Sequence, residues 1–280
     1  MKSNKKYGLI FILPSLAGVL VFYIIPFFLS LFYTFTHGIT EVKLVWFKNF
    51  IDLLNNQAFL LAAKNTLIFM GIGVPLLTLS ALLLSKMMSD KLYSFPRWAI
   101  LSPIIIPVAS SLMGWSVLFG DAGIINKIIG CFGVQSLDFF GEKYNVALFL
   151  LIFTVKNLGY MVVVFSSSIA ALSKEYRELF LLDSSSEIKY TFKVIVPLIS
   201  PIIFFVVILS IMNCFQIFRE VYGIYGNFPP NSMYSVQYFM NNNFYKLNYQ
   251  RLSTAAFILI ITLSVLISVY LRYQNKRSVN

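Results

Sequence analysis

The sequence predicts an all-α membrane protein of about six spanning helices, and three observations lead there. The chain of 280 residues is 58% hydrophobic and only 12% charged, with a mean hydropathy of +0.78, far more apolar than an ordinary soluble domain. Windows of ~19 residues find six apolar runs long enough to cross a bilayer. Backbone amides in hydrocarbon must be paired within their own segment, and the Gly and Pro content of these runs argues against barrel strands, so the runs are read as helices.

The first run, Leu9 to Phe35, follows Lys2, Lys5 and Lys6 and is longer than the apolar part of a removable signal, so it is expected to remain as the first span. The others are Thr66 to Leu84, Trp98 to Phe119, Val146 to Leu172, Val194 to Phe218 and Ala255 to Leu271. Pro14, Pro26, Pro103, Pro107, Pro197 and Pro201 fall in or at the head of these runs, where each removes a helical hydrogen bond or fixes a first turn. Ordinary kinks and gating hinges are both open readings. The chain is taken as one transmembrane domain, with residues 1–60 as first span and outer loop and 61–280 as a core of five spans.

Counting loops from the N-terminus, one side holds Lys2, Lys5, Lys6, Lys86, Lys91, Arg97, Lys174, Arg177, Lys189, Lys193, Arg272, Lys276 and Arg277, which is 13 of the 22 basic residues. That bias places both termini in the cytoplasm, in agreement with an even number of spans. It also accounts for the net charge of +11 without nucleic acid, because the basic residues form short clusters between apolar runs and no stripe beside stacking aromatics. Cys131 and Cys214 lack CxxC spacing and His37 is the single histidine, so no metal or redox site is indicated. No Gly-Lys pair exists for a phosphate-binding loop, and neither HExxH nor a nucleophile elbow occurs. An enzyme would need such a constellation.

Between the fourth and fifth runs, residues 173–193 read SKEYRELFLLDSSSEIKYTFK, longer than a helical hairpin needs. Glu175 to Leu182 has helix-forming composition, Asp183 to Ser186 make a break, and Ser184 with Glu187 matches a capping box that opens a second helix. Ile188, Phe192 and Ile195 then fall at helical spacing as an apolar stripe, which needs either the lipid surface or a protein groove as partner. Further on, Gly223 to Arg251 is rich in Asn, Tyr and Pro and is expected to be an outward-facing loop, either a docking surface ordered by a partner or a solvated one.

Several short patterns share one order along the chain. Glu178, Leu179 and Phe180, then Ser184, then Val194, Val196 and Pro197 keep the spacing of a cytoplasmic signature written EAA, three residues, G, nine residues, then I-x-L-P, although the small residues are not kept. Lys156 to Glu178 looks like a W-K-x-x-G-F/Y helix running into that signature, with Val155 in place of Trp. Cys214 to Tyr222, CFQIFREVY, is similar to S-F-Q-x-F-D-x-V-Y, with Arg219 in place of the acid. Tyr225 to Pro229 stands where a G-G-G-P turn is usual, Asn65-Thr66-Leu67 resembles an N-T-L opening, and Trp115 with Gly123 and Asn126 resembles a W…G-x-x-N segment. Together they resemble the inner-membrane permease subunits of carbohydrate-type ABC importers, the group that includes the maltose and glycerol-phosphate permeases, over almost the whole chain.

The resemblance implies the type I importer fold, with a second permease subunit, taken as a different chain, around a translocation path. It further implies two ABC ATPase subunits on the cytoplasmic face, an extracytoplasmic solute-binding protein, and the cytoplasmic membrane of a prokaryote as location. No cofactor is then bound by this chain, and ATP and Mg belong to the ATPase subunits. Glu178, Leu179, Phe180, Asp183, Ser184, Glu187, Ile188, Phe192 and Pro197 are the expected ATPase-coupling residues. For a sugar path, which needs hydrogen-bonding groups and flat aromatic faces, the candidates are Lys156, Asn157, Tyr160, Asn213, Gln216 and Tyr222, with interhelical hydrogen bonding as the alternative role. Lys156 lies ~15 Å into its run by helix rise and should face a cavity or meet a carboxylate such as Glu220. A non-sugar solute and a secondary transporter stay open; the latter would show interrupted helices with intramembrane acids.

Overall fold

The computed structural model describes residues 4–38, 41–89, 103, 106–183 and 186–278. Six helices among them are long and apolar enough to cross a membrane: Phe11–Phe35, Gln57–Met88, Val108–Cys131, Asn145–Ala170, Ser200–Tyr225 and Tyr249–Val269. The chain is a multi-pass, all-α membrane protein. It divides into two compact units, one of residues 1–62 with 236–280 and one of residues 63–235.

In the first unit, α1 (Asn4–Val19) leads through a π-helical turn, Leu20–Ile24, into α2 (Ile25–Phe35). The widened turn ends two residues before Pro26. Proline has no N–H to give the carbonyl four residues earlier, so the backbone pairs Ile25 N–H with Leu20 O instead. A two-residue ladder, β1 (Thr36–His37) with β2 (Lys43–Leu44), turns the chain toward α3 (Lys48–Leu54). The buried Asn49 amide donates to the carbonyls of Thr34 and Thr36, both at 2.9 Å, and so satisfies carbonyls left open at the end of α2. The last helix of the chain, Tyr249–Ser278, packs on α2 through Phe27 against Phe257 and Tyr33 stacked on Tyr249, each at 5.6 Å.

The second unit begins within α4 (Gln57–Ser89) and continues through α5 (Val108–Phe119), α6 (Ile124–Cys131) and α7 (Asn145–Ala170). The α7 helix is its centre: Phe149, Ile152, Phe153, Met161 and Phe165 have no exposed surface. Lipid tails are as apolar as leucine, so close fit decides which face turns inward. Phe69 on α4 meets Phe153 edge-on at 5.7 Å, and Gly73 lets the two helices approach.

The third span differs from the expected Trp98 to Phe119. Residues 98–102, Lys91, Arg97 and Lys2 lie outside the described residues, and the span runs on to Cys131 after a break at Gly120–Gly123. A Cβ on Gly123 would stand 2.6 Å from the Leu118 carbonyl oxygen, so only glycine makes this corner. Asn126, buried behind it, donates to the carbonyls of Gly120 and Leu137 and accepts from Leu137 N–H at 2.9 Å.

After α7 come α8 (Lys174–Asp183), α9 (Glu187–Tyr190), a second π-helical turn (Thr191–Ile195), α10 (Val196–Leu198), α11 (Ser200–Gln216) and α12 (Phe218–Tyr225). This π turn also ends two residues before a proline, Pro197. The fifth span is therefore displaced from Val194–Phe218 to Ser200–Tyr225.

Residues 223–251 are not the loop expected from their composition. They hold the end of α12, a 3-10 turn at Asn231–Met233, α13 (Val236–Tyr245) and the start of α14 (Tyr249–Ser278). Polar side chains do the ordering, which is why composition suggested a loop. Asn65 donates to the carbonyls of Asn231 at 2.6 Å and Tyr234 at 3.0 Å, and Asn145 and Ser232 bond each other.

Candidate functional site

Two places in the second unit bring functional side chains together. The first is the elbow made by α8 and α9. Its second helix is capped by Ser186, whose hydroxyl accepts from Lys189 N–H; the expected cap, Ser184, lies outside the described residues. Three serines in a row leave the sequence unable to choose the cap; the helix start at Glu187 does.

Glu187 is the hub of the elbow. Its Oε2 accepts from Lys86, in the last turn of α4, at 3.0 Å, and its Oε1 accepts from Arg177 of α8 at 3.0 Å. Lys86 also donates to the backbone carbonyl of Glu187 at 2.9 Å and to the Thr191 hydroxyl at 2.7 Å, and lies 6.0 Å from the centre of the Tyr190 ring. The hydrogen bonds from Lys86 first, and Arg177 second, hold the Glu187 carboxyl below its ordinary value; burial pushes the Tyr190 phenol up. A depressed carboxylate stabilises the fold above its unfolded value of about 4.3, and that contribution fades as the pH falls through the lower folded value. Phe180 closes the inner side of the elbow against Tyr190 at 5.4 Å.

The outer side is apolar and open. Leu179 is 65% exposed, Leu182 85%, Ile188 72% and Phe192 58%, with Glu178 also exposed beside them. The expected stripe is split, since Ile188 and Phe192 face out while Ile195 is buried. The reason is the π turn, which holds more residues per turn and so rotates each one less than an α-helix does; Ile195 falls out of register with Phe192 and lies on the inner face with Tyr190, five residues before it, and Thr191. Asp183 ends α8, and Pro197 sits in the first turn of α10. Lys86, Arg177, Tyr190 and Thr191 were missing from the sequence-based set. Lys86 is 101 positions from Glu187, and neither carries a local signal of the pairing.

The second place is a cavity of about 190 Å3 lined by Ser110, Ser111, Gly114, Trp115 and Leu118 of α5 and by Lys156 of α7. It offers a flat ring, hydroxyls and an ammonium, the groups that hydroxylated solutes need. Lys156 is ion-paired with Glu220 of α12, a residue with no exposed surface. Of the six path candidates, Lys156 alone lines this cavity. Asn157 donates to the Phe153 carbonyl one turn back, Gln216 to Asn213 at 3.4 Å, and Tyr222 to Asn227 at 3.0 Å, while Tyr160 is exposed. Ser110 and Ser111 escaped the sequence reading, since serines on an apolar run carry no directional signal.

Comparison with known proteins adds relatives over nearly the full length. No protein-family model matches the chain. It is 26% identical to the probable ABC transporter permease protein YesP of Bacillus subtilis, covering 99% of this chain and 95% of that one. It is 24% identical to the lactose transport system permease protein LacF of Rhizobium radiobacter, covering 94% of each. Its fold superimposes, with a TM-score of 0.78 and 17% identity over 99% of this chain and 96% of the other, on a chain of a bacterial alginate ABC transporter solved in complex with alginate pentasaccharide-bound periplasmic protein.

Proposed function

We infer that this chain, a transmembrane permease subunit of the ATP-binding-cassette transporter type, moves a sugar or sugar-derived solute into the cell while a separate ATPase supplies the energy. It is a transport component, and ATP with Mg belongs to the partner. The observation that carries this reading is the elbow, whose inner side is tied into the helix bundle and whose outer side presents Leu179, Leu182, Ile188, Phe192 and Glu178. Such a surface, beyond the ends of the fourth and fifth spans, suits a cytosolic protein groove. Full-length similarity to a lactose transport system permease and to a chain of an alginate ABC transporter solved with an alginate-bound periplasmic protein supports the same reading.

In this reading the elbow and both termini lie in the cytoplasm of a prokaryotic cell, and two ATPase subunits receive the elbows of this chain and of a second, different permease chain. Glu178 gives a basic residue of the ATPase a carboxylate for a charge-assisted hydrogen bond. Closure of the ATPase pair on ATP displaces the elbow, and the spans joined to it rock, turning the cavity beside Trp115 and Lys156 from outward to inward access. An extracytoplasmic binding protein delivers the solute. Asn213, Gln216 and Tyr222 on the fifth span remain path candidates alongside that cavity.

The decisive experiment is Glu178→Ala together with Phe192→Ala in the reconstituted complex. Uptake should be uncoupled from ATP hydrolysis while membrane insertion is intact; ordinary ATP-driven uptake by the double variant would remove the proposal. Among the described residues Glu220, a buried intramembrane acid, favours a proton-coupled secondary carrier. That carrier would purify without a soluble ATPase, whereas an ATP-driven permease requires one to co-purify.

A further inference from the structure

We propose that Lys86 and Glu187 form the joint through which the elbow also drives the second span, so that one displacement moves three spans instead of two. The inference rests on the reading of the elbow as the ATPase-facing lever. The chain itself links the elbow only to the fourth span, through residues 171–173, and to the fifth, through the π turn and α10. The second span is 101 residues away in sequence and has no such link.

The contact has the properties that a transmitting joint needs. Its lysine side chain is 18% exposed, in contrast to 53% for Arg177, whose pairing with Glu187 is open to water and contributes little stiffness. The Lys86 ammonium holds a carboxylate oxygen, the backbone carbonyl of the same residue and the Thr191 hydroxyl, at 2.7–3.0 Å. The carbonyl matters most. A link between two side chains alone swings with their rotamers, while a bond to the first residue of α9 grips the helix backbone. Thr191 in turn donates to that carbonyl at 2.9 Å, so the three groups close a ring around the start of the helix. Lys86 is also in the last turn of α4, where a cation is favoured by the open carbonyls, so the span holds its end of the joint in place. Lys86 is thus a positioning residue of the transport cycle.

The test uses the assembled complex, with its ATPase and binding protein, in lipid vesicles, and reads solute moved per ATP hydrolysed. Lys86→Met should lower that ratio about tenfold, the size of an ordinary coupling free energy. Lys86→Arg, which keeps both charge and donors, should restore most of it, and Lys86→Gln should fall between. A second readout is the distance between spin labels at Leu83→Cys and Glu175→Cys, in a Cys131→Ser background. It should stay constant between the resting and ATP-bound states with Lys86 present and change with ATP in Lys86→Met. A purely structural role would leave that distance insensitive to ATP. Wild-type ratios in both Lys86→Met and Lys86→Gln, or a label distance that ATP leaves fixed in either, would overturn the joint. If Glu178→Ala with Phe192→Ala uncouples uptake and the Lys86 variants do not, the joint alone fails; if that double variant transports normally, the lever reading fails with it.

Discussion

Lys156 and Glu220 show how much depends on a single pair within the apolar spans. Glu220 is fully buried, one carboxylate oxygen meets Lys156, and the other has no hydrogen-bond partner among the described residues. Removing the lysine alone leaves a buried charge without compensation, a loss of ~3–5 kcal/mol. Lys156→Met should therefore lower the apparent melting temperature in detergent, and Lys156→Met with Glu220→Leu should recover most of the loss. Equal melting of wild type and single variant would show the pair to be inert. Lys156 was legible in the sequence because a cation deep in an apolar run has few cheap explanations. Its cavity neighbours Ser110 and Ser111 were not, since the side of α5 they occupy is set by packing against other helices.

At the scale of elements, prolines and glycines decide the shape of otherwise uniform apolar helices. Pro26 and Pro197 each follow a π turn, whereas Pro14 and Pro75 are carried inside regular helices, so proline alone does not dictate the outcome. Gly223 on α12 faces Leu112 on α5 so closely that a Cβ would collide with the leucine side chain. Gly223→Ala should cost ~1–3 kcal/mol in the unfolding of the detergent-solubilised protein, and Leu112→Ala in the same chain should relieve part of it. A neutral Gly223→Ala would mean that α5 moves aside freely. The two short helices of the elbow are readable from their break, but of the expected stripe Ile188 and Phe192 face out while Ile195 is buried. A π turn alters rotation without any residue that announces it except the proline behind it.

For the whole molecule, six apolar helices make a multi-pass membrane protein, and the side preference of Lys and Arg predicts its orientation. The orientation can be checked with one chain carrying Glu175→Cys with Cys131→Ser and another retaining native Cys131, both exposed positions. In intact cells an impermeant thiol reagent should label Cys131 from outside and reach Glu175→Cys only after the membrane is opened; the reverse pattern would invert the topology. Sequence alone determined the class, the number of spans and the site of the elbow, because hydropathy, charge bias and local capping are properties of short stretches read in order. Tertiary structure alone decided that Lys86 meets Glu187, that Trp115 and Lys156 share a cavity, and that Asn65 and Asn145 order residues 231–234. Those contacts join positions far apart in the chain, and in hydrocarbon their choice is made by fit and polar satisfaction between whole helices.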